Sequence, residues 1–142
     1  MEEDLEKSRL DLIVSINEFC TYYGYHGVVV FDAHFKMGLK ENKEKFHSVE
    51  VVYTKKGQTA DSYIEKLTFK LLISILNHVE VVTKDLAIQS AIFNMGALRA
   101  LPEEIEMKID NMRKRNLKKH NKFISNESES IERIMEYKIK KR

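Results

Sequence analysis

The sequence predicts an α/β fold around a mostly parallel sheet, followed by a basic helical tail. Three short β-branched runs, at residues 28–32, 49–53 and 79–83, alternate with longer stretches whose apolar residues recur every three to four positions. The runs are largely apolar on both faces of the pleat, as parallel strands covered by crossover helices are. The tail is marked by charge: residues 108–142 carry 12 Lys/Arg and 5 Asp/Glu, whereas residues 1–107 carry 12 and 17. The organisation expected is one folded domain over 1–107 and a basic helical extension over 108–142.

Each element has its own local reason. Residues 4–23 place Leu5, Leu12, Ile13, Ile16 and Phe19 at helical spacing, and Gly24 stands where a helix end favours glycine. The first strand, 28–32, reads Val-Val-Val-Phe-Asp. Residues 33–46 are polar and lysine-rich with Gly38 and read as one long loop, of a length that in compact domains is usually functional or disordered. Residues 49–53 form the second strand, and Lys55-Lys56-Gly57-Gln58 a turn. Thr59 is an N-cap for a helix running to about residue 77 through Ile64, Leu67, Leu71, Leu72 and Ile75. The third strand is 79–83, after which Asp85 opens a helix over 86–95 that Gly96 ends. Residues 97–101 are a short edge strand, and Pro102-Glu103-Glu104 starts a final helix, with a break expected near 125–130.

Composition narrows the class. A 142-residue chain with 43% hydrophobic and 32% charged residues is of single-domain size and well above the disordered range. No apolar run approaches the ~20 residues of a membrane span. The acidic start at 1–6 lacks the basic and apolar regions of a secretory signal. A single Cys20 excludes an intramolecular disulfide framework and a thiolate-rich zinc site. The expectation is a cytoplasmic protein with no membrane partner. No Gly-rich phosphate loop and no nucleophile elbow is present, which weighs against an NAD enzyme, a P-loop NTPase or a serine hydrolase.

In parallel α/β sheets ligands bind beyond the carboxyl ends of the strands. Asp32 ends its strand, Asp85 lies two residues past Thr83, and Asp61 lies in the first turn of the helix that follows the second strand. Glu65, four residues after Asp61, shares its helix face. If the strands are neighbours, these acids converge within about one hydrated-cation span, and a hard cation is what makes such crowding tolerable. Each has a plain structural alternative: Asp32 capping the loop, Asp61 complementing the helix dipole, Glu65 pairing with Lys66 or Lys70, and Asp85 capping its helix. His34 reads either as a substrate contact or as a surface-loop histidine. Tyr22, Tyr23 and Tyr25 read as base-stacking or packing residues, and Cys20 as a core residue. In the tail, Arg115, Lys118, Lys119 and Lys122 share one helix face that Arg113 and Lys114 widen. That face holds a polyanion or is simply solvated.

The chain carries, in this order, Val-Val-Val-Phe-Asp-Ala-His (28–34), Val-Val-Tyr-Thr (51–54), Gln-Thr-Ala-Asp-Ser-Tyr-Ile-Glu (58–65), Val-Val-Thr-Lys-Asp (81–85), Gln89 and Gly-Ala-Leu-Arg (96–99). The series resembles the YacP-like branch of the NYN domains, relatives of the PIN nucleases, over about residues 9–110. The resemblance implies a PIN-like three-layer α/β/α fold and metal-dependent RNA cleavage with Mg²⁺ or Mn²⁺. In the best-understood bacterial members it implies an endonuclease acting on mRNA engaged by the ribosome. Asp32, Asp61 and Asp85 match acidic positions of the active-site region, where they would hold the metal, and Glu65 matches a further motif acid. Thr59, Gln89 and Arg99 match motif positions that, with His34 and the tail residues, are assigned to RNA. Lys84 stands where the family often has Ser. The family begins with a strand ending in Asp-Gly-Tyr-Asn, and residues 1–8 hold no such segment. The chain therefore reads as N-terminally truncated, with a gap in the sheet and one active-site acid fewer. The alternative function is a catalytically impaired RNA- or ribosome-binding module of the same fold.

Overall fold

The computed structural model describes residues 2–32, 42–74 and 78–126. The elements are α1 (Glu2–Tyr23), β1 (Gly27–Phe31), β2 (Asn42–Phe46), β3 (Val49–Tyr53), α2 (Ala60–Ile73), β4 (Glu80–Val82), α3 (Leu86–Met95), β5 (Leu98–Ala100) and α4 (Pro102–Asn126). They belong to two compact units, Met1–Val29 with Glu44–Val51 and Met107–Arg142, and Val30–Lys43 with Val52–Glu106.

In the first unit α1 ends on Gly24, whose φ of 74° is left-handed. The Tyr25 N–H reaches back to the Cys20 carbonyl at 2.8 Å, a glycine-capped helix end. Ile13, Phe19, Cys20, Val49, Val51, Ile109 and Met112 are buried here. The Thr21 and Ser48 hydroxyls lie 3.0 Å apart, and the Ser48 N–H donates to Asn17 Oδ1 at 2.9 Å. Gly27 is where α1 and β3 leave no room, because a Cβ there would lie 2.7 Å from Cys20 Sγ and 3.2 Å from Val49 Cγ2. Arg113 of α4 donates to Glu18 at 3.0 Å and to Ser15 at 3.1 Å.

In the second unit β4 and β5 pair in parallel, Val81 opposite Arg99, with α3 as the crossover helix. Val81, Ile88, Ile92 and Ala97 form the core, with Ile64, Leu72 and Val79 packed against it. Gly96, at φ 93°, closes α3 by the same glycine device, and Ala97 N–H reaches Ile92 O at 3.0 Å.

The strands form two sheets, ordered β1-β3-β2 and β4-β5. β1 and β3 run parallel: Gly27 N–H donates to Ser48 O near one end and Thr54 N–H to Phe31 O near the other, both at 3.0 Å. One expectation needs correction. Residues 33–46 are not one loop, because 42–46 form β2, joined to β3 by the two residues His47 and Ser48 as an antiparallel hairpin. β2 is an edge strand reading Asn-Lys-Glu-Lys-Phe and mostly exposed, so it carries the charges that protect an edge and none of the apolar pattern that announces a strand. Among the described residues β4 bonds only to β5, not to β1 or β3, so the expected sheet is divided into two ladders, each with a parallel pair, β1–β3 and β4–β5. Strand order is a long-range property that local pattern does not encode. α2 ends at Ile73, and expectations on 75–77 and on the break beyond Asn126 lie outside the described residues. α4 runs unbroken across 107 and 108 and buries Ile109 and Met112 before its exposed basic stretch begins. No described helix is long and apolar enough to cross a membrane.

Candidate functional site

Three acids of the second unit stand where β1, β4 and the helices after β3 and β4 begin or end. Asp32 directly follows β1, is half-buried, and its Oδ1 accepts a hydrogen bond from the Ala60 N–H at 2.6 Å. Ala60 opens α2, whose first N–H groups have no partner within the helix. Thr59 caps the same turn, its Oγ1 accepting from Ser62 N–H at 3.1 Å. Asp61 is the first-turn acid of α2 and is exposed. Asp85 is the N-cap of α3, with Oδ1 accepting from Ala87 N–H at 2.9 Å and Ile88 N–H at 3.1 Å. Two helix N-termini thus present their positive dipole ends to acidic groups.

The acids act on one another. The Asp61 carboxyl is pushed above its ordinary 3.8, first by burial of its surroundings and then by the negative charges of Asp85 and of Asp32. Crowding of this kind is what a cation relieves. Yet no three His, Cys, Asp or Glu side chains among the described residues stand close enough to clasp a metal ion directly. Asp32 and Asp85 each commit one oxygen to backbone N–H groups, which leaves the other oxygen and both of Asp61 without a bond among the described residues. Mg²⁺ retains several waters and is held by one or two carboxylates. The described residues therefore offer no ready-made cage for a cation stripped of its water.

The other residues singled out from the sequence are spread more widely. Glu65 is half-buried and is not among the charges that shift Asp61; it lines a shallow groove with Phe69, Lys70 and Met95. Gln89 is only 9% exposed, and its Nε2 donates to the Thr83 carbonyl at 2.8 Å. Arg99 is exposed on β5, with its guanidinium 5.2 Å from the centre of the Phe93 ring. On α4 Arg115, Lys118 and Lys119 are exposed, while Arg113 is engaged by Glu18. His34 and the Lys122 side chain lie outside the described residues. Thr83 was not singled out, although its hydroxyl accepts from Asp85 N–H at 3.1 Å and its own N–H donates to Ala100 O at 3.1 Å. The signal was a threonine two residues before a helix-capping aspartate, where such a bond forms naturally.

Comparisons with known proteins follow the same lines. The family model described as the YacP-like NYN domain matches residues 1–142. The protein YacP of Bacillus subtilis (strain 168) is 41% identical over 110 residues, covering 78% of this chain and 64% of that protein. The chain thus spans just under two thirds of that relative's length. A crystal structure of a mutant of Rae1 (YacP) from Bacillus subtilis is similar with a TM-score of 0.75 and 35% identity, covering 92% of this chain and 74% of the other. A second crystal structure of Rae1 (YacP) gives a TM-score of 0.70 and 38% identity, over 84% of this chain and 67% of the other.

Proposed function

The chain belongs to the YacP-like NYN domain family, and on that premise we propose that it is a metal-dependent endoribonuclease with a PIN-like three-layer fold. What supports the reading is the family membership, together with the way the negative charges of Asp85 and Asp32 both act to raise the Asp61 carboxyl.

Three negative charges repel an RNA phosphate, so the site works only with a compensating cation. The residues that would hold Mg²⁺ or Mn²⁺ are Asp32, Asp61 and Asp85, with Glu65 one helical turn away as an additional acid. Such an ion supplies charge neutralisation at the phosphoryl oxygens and Lewis acidity toward water. The chain's own residues do the rest. The Ala60 N–H fixes Asp32, and the Ala87 and Ile88 N–H groups fix Asp85, so both carboxylates are oriented before substrate arrives. Thr59 and Arg99 belong to the same unit as the acids and are the RNA-facing candidates there, with His34 a further candidate from the sequence. Arg115, Lys118, Lys119 and Lys122 on α4 are the phosphate contacts of the tail. RNA on the ribosome, in the cytoplasm, is the setting that the family implies.

The second reading is an RNA- or ribosome-binding module without catalysis. It is favoured by the lack, among the described residues, of three ligands within direct reach of one ion. The test is a single-stranded RNA incubated with the chain and Mg²⁺ or Mn²⁺. Internal cleavage that EDTA abolishes supports the nuclease. Co-sedimentation with RNA or ribosomes, and no cleavage at any metal concentration, establishes the binding module instead.

A further inference from the structure

Gln89 sits on the buried face of α3 between Ile88 and Ile92, a place where an amide is tolerated only with its hydrogen bonds made. Its Nε2 donates to the Thr83 carbonyl at 2.8 Å, across six residues. Thr83 is the last point of contact between the β4 strand end and β5, through its N–H on Ala100 O at 3.1 Å. Its hydroxyl accepts the Asp85 N–H at 3.1 Å, and the Asp85 carbonyl in turn accepts the Gln89 N–H at 3.0 Å. The segment 83–85 is therefore pinned from three sides: by β5, by its own threonine hydroxyl, and by the Gln89 side chain. Removing that side chain's donor leaves the Thr83 carbonyl unpaired, and the bend that aims Asp85 relaxes toward water.

We propose that Gln89 is a positioning residue that holds Asp85 at the carboxylate site through the carbonyl of Thr83, and that it does not contact RNA. The catalytic part of the test rests on the nuclease reading above; the structural part does not. Gln89→Met keeps the length and packing of the side chain and deletes the donor. Thr83→Val deletes the hydroxyl that receives Asp85 N–H and gives a second, independent way to loosen the same bend. In either variant the Ala87 and Ile88 amides, which are bonded to Asp85 Oδ1, exchange with solvent about tenfold faster than in the native chain, while mid-helix amides of α3 keep their protection. The turnover of RNA falls about tenfold to a hundredfold with KM within about twofold, the size typical of losing a group that orients a ligand-bearing side chain. The double variant is no worse than the more severe single one, because both act on one bend. Unmoved Ala87 and Ile88 amides in both variants overturn the proposal. So does a raised KM with unchanged turnover, which makes Gln89 an RNA contact. If the native chain cleaves no RNA, the nuclease reading fails and the amide exchange alone decides the role of Gln89.

Discussion

Asp85 caps α3, and under the proposed function it also charges the site; two substitutions divide these duties. Asp85→Ala removes the acceptor of two N–H groups. The residue is exposed, so water partly replaces it, and the loss lies mid-range for an N-cap, about 1 kcal/mol. For a domain of this size that is roughly 3–5 °C in Tm. Asp85→Asn keeps an acceptor oxygen at the cap, where Asn and Asp are equivalent. The lost charge–dipole attraction, about 0.3–1 kcal/mol, is offset by relief of repulsion with Asp61, so stability should change by less than about 0.5 kcal/mol. The charge effect is read at Asp61 by carbon-detected NMR titration. Its carboxyl is raised from 3.8 by burial first, then by Asp85, then by Asp32. Asp85→Asn should lower it part of the way, since burial and Asp32 remain. The sign carries into stability: between 3.8 and the raised value the folded chain binds more proton than the unfolded one. Asp61 therefore favours folding more strongly as the pH falls through that interval and opposes it above, and Asp85→Asn narrows the interval. If Asp85→Asn melts as early as Asp85→Ala, capping is not what Asp85 contributes. If the Asp61 titration does not move, the acids do not converge.

Three further outcomes are expected. Replacing Arg115, Lys118, Lys119 and Lys122 with Ala should weaken RNA binding and flatten its logarithmic salt dependence by up to about 3, at about 0.7 per phosphate on a single strand, with little change in melting; filter binding across a salt series measures it. Gly27→Ala should destabilise by about 1–3 kcal/mol in urea unfolding, because its Cβ meets Cys20 Sγ at 2.7 Å, and adding Cys20→Ala should recover part of the loss. Burial pushes the Cys20 thiol up to about 11, so at pH 8 about one molecule in a thousand is thiolate and a disulfide reagent should react only after denaturant is added.

The parts of the fold that pattern could reach are those where burial and local geometry coincide. Val28 to Phe31 and Val49 to Tyr53 announce strands because β-branched side chains suit a covered pleat, and Gly24 and Gly96 mark helix ends because only glycine takes a left-handed φ cheaply. β2 escaped because an exposed edge strand is selected to be polar, and Lys43 and Lys45 look like loop. The strand partners in each ladder had no local signature, because pairing is decided by contacts far apart in sequence. At the site, the places of Asp32, Asp61 and Asp85 in the chain were legible from strand ends, and so was the capping duty of Asp85, whereas Asp32 bonds the Ala60 N–H of α2 rather than capping the loop that follows it. The distance between the three acids was not legible, because it depends on how the chain between residues 32 and 85 returns. Gln89 lay within the apolar arc of Ile88 and Ile92, one and three positions away, so its inward aim was readable from the helical wheel, whereas its bond to Thr83 was not.

The convergence of the acids on a cation is tested most directly by manganese titration of the isotope-labelled chain, followed by paramagnetic broadening of amide resonances. Substoichiometric Mn²⁺ should first broaden Ala60, Asp61, Ala87 and Ile88, the amides that bind or neighbour the three carboxylates, and Asp61→Asn should weaken the effect. Broadening that begins at the Glu103 and Glu104 end of α4, or that leaves Asp61 and Ala87 sharp at excess Mn²⁺, would contradict a cation site built from Asp32, Asp61 and Asp85.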